Sequence, residues 1–545
     1  MDLNGQTVVR CELLSDAEEQ APYYIGLSYT WGDPHIRRPI LVGDKIFWAT
    51  ENLAIALEYL QEDDKTIIFW IDAVCIDQTN LNEKSIQVQR MGHVFSSAAL
   101  VIAWIGPAPD ESDLAIQEIE SYTIGIESHS GWGDYLREKY TALPHESINA
   151  LFGRPWFKRV WVGQEVALNE QVIFICGQHE IDREDLFACQ LVFYRSKVLF
   201  EGVKWSGSYE RFKVTKPLPL RDFLSDGYHL EFGSELESSD PRDFIYSCFG
   251  QISDTLECEL RADYTKSVEE VYTDFAEALI RAGMTKWLGY MWRLSRTYEN
   301  LPSWVPDWSS TRLCRNPGPE TTLEGSAVEV CYIATGSKAL KMSARRIAQI
   351  SHIKHSPHSL QGWFGVDPPT SALEAQEEED KIMLSLDRIR QILDEQERWS
   401  PEEIDKAVFN LSTGFSTVRA GFTWNTQSEP AYDWLGSYKA FRGLVSSPDP
   451  MVSPQTWREN ASRDYLNMLR DSNITDLFVT STDIVGTSRD EVQPGDWVCV
   501  LGNVRGVRIL REVDGGFYRI VSDGNVSPHE DVENSDAPVE IITII

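Results

Sequence analysis

The chain has 545 residues, more than a single hydrophobic core accommodates, so roughly two to four domains are expected. Hydrophobic residues make up 42% and charged residues 25%, which is typical of a folded globular protein and excludes a disordered or fibrous chain. Lys and Arg number 50 against 84 Asp and Glu, and the formal charge of −34 argues against nucleic acids and anionic membranes as main partners, because these carry the same sign.

The residue pattern of the first 61 positions predicts a strand, a hairpin and a helix. Residues 23–28 are a short apolar run that leads into turn residues. Residues 39–48 place two apolar runs on either side of Gly43-Asp44, which predicts a β-hairpin. Residues 51–61 carry leucines at helical spacing.

Three further apolar runs, at residues 67–71, 100–105 and 172–176, predict buried strands. A helix begins between the first two of them, where Asn80 and Glu83 have the spacing of a capping pair. Continuous apolar strands that alternate with helices indicate an α/β fold with a parallel sheet covered on both faces. In such sheets ligands bind at the carboxyl ends of the strands.

The rest of the chain is less regular, and four regions are predicted. An α/β domain at 1–180 is followed by a mixed helical and β companion region at 181–370. Residues 371–470 are charge-rich and predict an acidic helical excursion. Residues 471–545 contain short apolar runs between glycine turns and predict a small β-rich unit.

The nine cysteines are odd in number and form no Cys-x-x-Cys pair, so neither a zinc site nor a disulfide framework is expected. The start of the chain lacks the basic and apolar segments of a signal peptide, and no apolar run reaches the length of a membrane span. These features predict a cytoplasmic protein with reduced thiols, no metal and no membrane span.

Four polar residues follow the apolar run at 67–71, where a parallel sheet binds its ligands. They are Asp72, Cys75, Asp77 and Gln78. Each has a structural alternative, because aspartates also cap turns and helices. A nucleophilic Cys75 would need a histidine partner, and the nearest in sequence, His93, is predicted on an exposed helix face.

The sequence Pro-Trp-Phe-Lys-Arg-Val-Trp-Val-Gly-Gln-Glu at residues 155–165 combines tryptophans, cations and a carboxylate. Arginine is suited to phosphate, and tryptophan stacks on flat bases. Arg159, Trp161 and Glu165 could therefore meet one bound molecule. The alternative is an internal salt bridge between Arg159 and Glu165 beneath packed tryptophans, and the residues alone leave both open.

Taken together, these segments resemble the fungal heterokaryon incompatibility (HET) domain. The matching motifs lie, in the family's order and spacing, at residues 24–33, 51–57, 70–80, 83–92 and 154–165. One departure is Gly26, where the family more often has alanine. Motifs after residue 240 are similar to the usual C-terminal companion of such proteins.

The resemblance implies a role in self/non-self recognition and programmed cell death in filamentous fungi. HET domains are thought to be remote relatives of TIR domains, which implies a flavodoxin-like parallel sheet. In many TIR domains a Trp-Cys-x-x-Glu stretch supplies the glutamate that cleaves NAD at the nicotinamide–ribose bond, and residues 161–165 are the similar place here. By this analogy Glu165 is catalytic, and the substrate is NAD with no cofactor.

The analogy assigns substrate-binding roles to the neighbouring motif residues. Trp156 or Trp161 would stack on a base and Arg159 would pair with the pyrophosphate. The predicted substrate-binding residues are Ser28, Tyr29, Trp31, Asp72, Cys75, Asp77, Gln78, Trp156, Arg159 and Gln164.

Three functions remain open at this point. The first is an enzyme that cleaves NAD and is activated by self-association. The second is an interaction module that signals by homotypic assembly or through partner incompatibility proteins. The third is an accessory protein of the same family without death activity.

Overall fold

The computed structural model forms two compact units, Met1–Ala278 and Leu279–Ile545. The residues it describes are 2–3, 6–14, 22–62, 65–108, 115–117, 119, 145–186, 215–225, 236–255, 257–284, 297–309, 328–332, 337–355, 372–413, 438–439, 441–442, 476–488, 491–502, 504, 506–527, 532 and 535–545.

Unit 1 contains ten strands in its described part. They are β1 Asp2–Leu3, β2 Gln6–Thr7, β3 Arg10–Cys11, β4 Ile25–Tyr29, β5 Arg37–Val42, β6 Lys45–Thr50, β7 Phe69–Trp70, β8 Leu100–Gly106, β9 Val172–Cys176 and β10 His179–Asp182. Its helices are α1 Glu51–Leu60, α2 Asp72–Cys75, α3 Leu81–Ser97, α4 His145–Phe152, α5 Pro155–Lys158, α6 Val162–Ala167, α7 Leu220–Ser225, α8 Asp243–Tyr246 and α9 Val268–Arg281, with a 3-10 turn at Phe249–Gln251.

The main sheet of unit 1 has five strands in the order β7-β4-β8-β9-β10. The first four pair in parallel, and β10 pairs antiparallel to β9. Numbered along the chain, the parallel strands are therefore arranged 2-1-3-4. Strands β4 and β8 are buried almost throughout, as continuous apolar runs require. The predicted parallel α/β arrangement is confirmed to this extent.

The local elements follow the sequence closely. Strands β5 and β6 form the predicted hairpin, with Val42 opposite Lys45. Strand β3 pairs in parallel with β5, on the side away from β6. The Asn80 side chain caps α3 by accepting a hydrogen bond from the Glu83 backbone N–H. The run at 67–71 forms a strand only at Phe69–Trp70, because Asp72 already begins α2.

Helix α3 crosses the 3-10 turn at Phe249–Gln251 with the two backbones in contact. A Cβ atom on Gly92 would lie 2.3 Å from the Cα atom of Gly250, and one on Gly250 would lie 2.7 Å from the Cα atom of Gly92. Any side chain at either position would push the two elements apart. Residues near 250 are therefore packed directly against the α/β domain.

Unit 2 is rich in β-structure, as predicted for the end of the chain. It contains β11 Val328–Tyr332, β12 Lys338–His355, β13 Asp476–Thr480, β14 Val485–Ser488, β15 Trp497–Leu501, β16 Val507–Val513, β17 Phe517–Ser527 and β18 Val539–Ile544. The order is β11-β12-β13-β14-β17-β16-β15, and a further pairing of β12 with β15 closes the path from β12 to β15 into a ring. Apolar side chains such as Phe478, Val498 and Ile509 form its core.

Two helices of unit 2, α10 Ala372–Asp394 and α11 Pro401–Thr413, fall within the predicted acidic region. They pack through residues such as Leu393 and Val408, which are fully buried. Residues 414–437 and 443–470 of that region lie outside the described residues. Within the described part of the chain, none of the helices combines the length and apolar character needed to span a membrane. The predicted domain boundaries remain predictions.

Candidate functional site

Glu165 lies on α6, between the third and fourth parallel strands, and its side chain is almost completely buried at 2% exposure. Three donors surround the carboxylate. Arg159 donates Nη1–H to Oε2 at 2.8 Å and Nη2–H to Oε1 at 2.9 Å. The hydroxyl of Ser28 donates to Oε2 as well. A buried carboxylate needs such partners, because a charge without them is strongly destabilising.

The two-pronged pairing of Arg159 with Glu165 is the internal salt bridge of the structural alternative. The Arg159 side chain keeps 15% exposure, against 3% for Glu165. Burial by itself would lower the pKa of Arg159, but the Glu165 and Asp72 carboxylates outweigh it and the pKa is raised. The guanidinium therefore stays charged and lies within the field of both acids.

Trp156 connects this pair to the sheet. Its indole Nε1–H donates to the Ser28 hydroxyl at 3.0 Å. The ring has no exposed surface and meets Phe157 and Phe174 edge to face. A base could not stack on Trp156 in this arrangement without movement of its neighbours, so its predicted binding role stays a prediction.

A second group of predicted residues lies at the carboxyl ends of β4 and β7. Trp31 Nε1–H donates to Asp72 Oδ2 at 2.9 Å, and the Ala73 backbone N–H donates to Oδ1 at 2.7 Å. Burial raises the pKa of Asp72, the charge of Glu165 adds to the rise, and Arg159 opposes it. Arg159 is therefore close enough to lower the pKa of Asp72 while it donates hydrogen bonds to Glu165.

Tyr29 is the most buried member of this second group, at 1% exposure. Burial, followed by the neighbouring Asp72 carboxylate, raises the pKa of the Tyr29 hydroxyl well above its usual value. The hydroxyl lies beside Asp72 but has no partner in good hydrogen-bonding geometry among the described residues. Trp31, by contrast, has 37% of its surface exposed.

The remaining predicted residues after β7 have mainly local contacts. Gln78 Nε2–H donates to the Asp72 backbone carbonyl at 3.2 Å. Asp77 is exposed and accepts hydrogen bonds from the backbone and hydroxyl of Thr79, so it shapes the turn before α3. Burial raises the pKa of the Cys75 thiol, which disfavours the thiolate that a nucleophile needs.

Gln164 precedes Glu165 on α6 but makes its hydrogen bond elsewhere. Its Oε1 accepts the Gly250 backbone N–H at 3.0 Å, and the side chain is fully buried. The structure therefore brings Ser28, Tyr29, Trp31, Asp72, Trp156, Arg159 and Glu165 together at one end of the sheet. Gln164 and Asp77 have other partners.

The sequence reasoning did not foresee Asp243, which accepts the Trp161 Nε1–H at 3.1 Å. Asp243 is buried at 6% exposure. Asp243 ends an Asp-Pro-Arg-Asp motif at residues 240–243 and begins α8. Arg154 is buried as well, and its guanidinium donates a hydrogen bond to the Ile105 carbonyl near the end of β8.

The arrangement offers a carboxylate, a cation shared by two acids and an exposed tryptophan at the carboxyl ends of parallel strands. Arginine is suited to binding phosphate, and open α/β sheets bind ligands at this edge. Within the described residues, no cluster of three or more His, Cys, Asp or Glu has the arrangement of a metal site.

Comparisons with known proteins agree with the motifs. Residues 24–165 match the family described as "Heterokaryon incompatibility protein (HET)". The chain is also 26% identical to heterokaryon incompatibility protein 6, OR allele, of Neurospora crassa, over 53% of each protein. The match thus spans about half the length of that curated relative. No solved structure matches the chain. Residues 24–165 therefore match a HET domain, and the chain is similar to a fungal protein named for heterokaryon incompatibility.

Proposed function

We propose that this protein acts in heterokaryon incompatibility and that its HET domain cleaves NAD at the nicotinamide–ribose bond, in the manner of a TIR domain. The first part rests on the family match and on the relative named for heterokaryon incompatibility. The second part rests on one observation, the convergence of Glu165, Arg159 and Asp72 at the carboxyl ends of the parallel strands.

The fold supports the comparison with TIR domains. The parallel strands of unit 1 follow the order 2-1-3-4, which is how a flavodoxin-like sheet of order 2-1-3-4-5 begins. Glu165 comes after the third of these strands. The order changes direction next to β4, and open α/β sheets bind their ligands at such a point. Ser28, from the end of β4, contacts Glu165 directly.

Glycosidic cleavage passes through an oxocarbenium-like state, and a nearby carboxylate stabilises its positive charge. Glu165 is the buried carboxylate available for this role. In the resting arrangement Arg159 neutralises it from both oxygens. A pyrophosphate would compete for the guanidinium, which retains 15% exposure, and would free the Glu165 carboxylate for the ribose. Binding of the pyrophosphate to Arg159 would then itself release Glu165 for catalysis.

An exposed aromatic side chain completes the proposed site. Trp31 keeps 37% of its surface exposed while its indole N–H is fixed on Asp72. A base can reach this ring without displacing the core around Trp156. The stacking role that the sequence assigned to Trp156 or Trp161 is therefore proposed for Trp31.

The test measures nicotinamide release from NAD by the purified full chain, both free and tethered into oligomers. We expect Glu165→Gln to abolish release, because the neutral amide cannot stabilise the oxocarbenium charge. The matched control is Glu58→Gln, which removes the carboxylate of another bidentate arginine pair, Arg38–Glu58, on α1. Absence of turnover by the folded wild-type protein in every oligomeric state would refute the enzymatic proposal.

A second function, a signalling module without chemistry, is favoured by the saturation of Glu165. Three protein donors already meet its two oxygens, and its exposure is 2%. This alternative predicts that killing in a fungal host survives Glu165→Gln at unchanged NAD levels. Loss of killing in a folded Glu165→Gln protein, with killing retained in Glu58→Gln, contradicts it.

A further inference from the structure

Residues 236–264, which lie outside the segment that matches the HET family, contact residues 158–164, directly before Glu165. The first contact is a pair of backbone hydrogen bonds. The Glu237 N–H donates to the Lys158 carbonyl at 2.6 Å, and the Val160 N–H donates to the Glu237 carbonyl at 3.2 Å. These two bonds bracket Arg159 and fix the backbone that carries its guanidinium.

The second contact is made by Asp243. Its Oδ2 accepts the Trp161 Nε1–H and the Ser238 hydroxyl, both at 3.1 Å, and its Oδ1 accepts the Tyr264 hydroxyl at 2.5 Å. Asp243 has 6% exposure, so these donors replace the water that would otherwise solvate it. Because Trp161 is the N-cap residue directly before α6, the bond fixes the start of the helix that carries Glu165.

The third contact is Gly250, whose backbone N–H donates to Gln164 Oε1 at 3.0 Å. Gln164 directly precedes Glu165, so the contacts of Trp161 and Gln164 together fix the first turn of α6. Gly250 can reach it only because Gly92 of α3 has no side chain.

The same segment is also attached to α3 by side chains of the HET motif at 83–92. Gln89 Oε1 accepts the Ala262 N–H at 2.8 Å, and the Ser85 hydroxyl accepts the Tyr264 N–H at 2.9 Å. Lys84 places its ammonium 4.0 Å from the centre of the Tyr264 ring. Residues 236–264 therefore link α3 to α6 through polar groups of both.

We propose that residues 236–264 form a brace that holds Glu165 and Arg159 in register, and that Asp243 is a positioning residue acting through Trp161. The active unit then runs from residue 24 to residue 264. Its catalytic consequence rests on the proposed function, because a displacement of about 1 Å in a reacting group costs on the order of a hundredfold in rate. The positional part does not depend on any turnover.

The test compares two variants with a control. Trp161→Phe keeps an aromatic side chain but removes the indole N–H together with the five-membered ring. Asp243→Asn keeps the shape and removes the charge, so an effect shared by both variants reports the hydrogen bond rather than the lost ring volume. The control is Asp274→Asn, which breaks the half-exposed ion pair with Lys266 in the same unit. Hydrogen exchange over residues 158–167 and the NMR signal of the Trp156 indole N–H, which reports the Ser28–Glu165 contact, are measured in the full chain.

We expect faster exchange and a shifted Trp156 signal in both brace variants and neither change in Asp274→Asn. With NAD, the brace variants should lose about tenfold or more in kcat with KM changed less than kcat. Unchanged exchange and an unchanged indole signal in Trp161→Phe overturn the brace. A shifted signal with undiminished kcat overturns its catalytic consequence, the role of Asp243 as a positioning residue. If the wild type releases no nicotinamide, the proposed function fails, while the exchange and indole measurements still decide the brace.

Discussion

The pairing of Arg159 with Glu165 can be measured by a double-mutant cycle with Glu165→Met, Arg159→Met and both together. Methionine roughly conserves the volume of each side chain. Either single change leaves a buried partner without its counter-charge, which costs about 3–5 kcal/mol in such pairs. We expect about 3 kcal/mol for each, at the lower end of the range, because Arg159 keeps Asp72 nearby and Glu165 keeps Ser28.

The double variant removes both charges at once. We expect it to cost about 3 kcal/mol rather than the additive value of about 6, which gives a coupling energy of about 3 kcal/mol. Urea unfolding followed by hydrogen exchange in a peptide from α6 measures unit 1 alone. The control cycle uses Arg38 and Glu58, whose side chains are 39% and 35% exposed, and should give less than about 1 kcal/mol. An additive result at Arg159 and Glu165 would refute a tightly coupled buried pair.

Three further predictions concern the same unit. Gly92→Ala should destabilise the protein by about 1–3 kcal/mol, measured by thermal unfolding, since its Cβ would lie 2.3 Å from the Gly250 Cα atom; an unchanged melting temperature contradicts that contact. Burial raises the folded-state pKa of Asp72 above its usual value of 3.8, so its contribution to stability is present below that value and is lost as pH rises through the folded pKa. Urea midpoints of Asp72→Asn should therefore rise relative to wild type from pH 4 upward, and a constant difference argues against the raised pKa. Cys75 should react with iodoacetamide at pH 7.5 more slowly in the folded than in the unfolded protein, as followed by mass spectrometry, because burial raises its thiol pKa; equal rates would exclude the effect.

The sequence predicted the parts of the fold that depend on local pattern. Apolar runs identified β8 and β9 because a strand buried on both faces needs apolar residues throughout. The Asn80 cap follows from residues three positions apart. The Arg159–Glu165 pair was also within reach of the sequence, since the two residues lie in one run.

Contacts between residues far apart in the chain could not be predicted from the sequence, for a physical reason. Trp161 and Asp243 are 82 positions apart, and nothing in a local pattern states which buried donor meets which acceptor. The complete burial of Trp156 on α5 likewise depends on Phe174 of β9. The strand β7 ends at Trp70 because the chain begins α2 at Asp72. The end of the strand is therefore set by the helix that follows it rather than by the apolar run.

The two edges of the main sheet have a consequence for how copies of this unit can meet. At one edge β7 is only two residues long, and at the other β10 exposes Glu180 and Asp182. Short edge strands and outward charges oppose the pairing of sheets from separate molecules. Within the described residues, pairing of the main sheet with a second copy through its own edges is therefore disfavoured. Contacts between side chains, rather than between backbones, would then decide which molecules fit against this sheet.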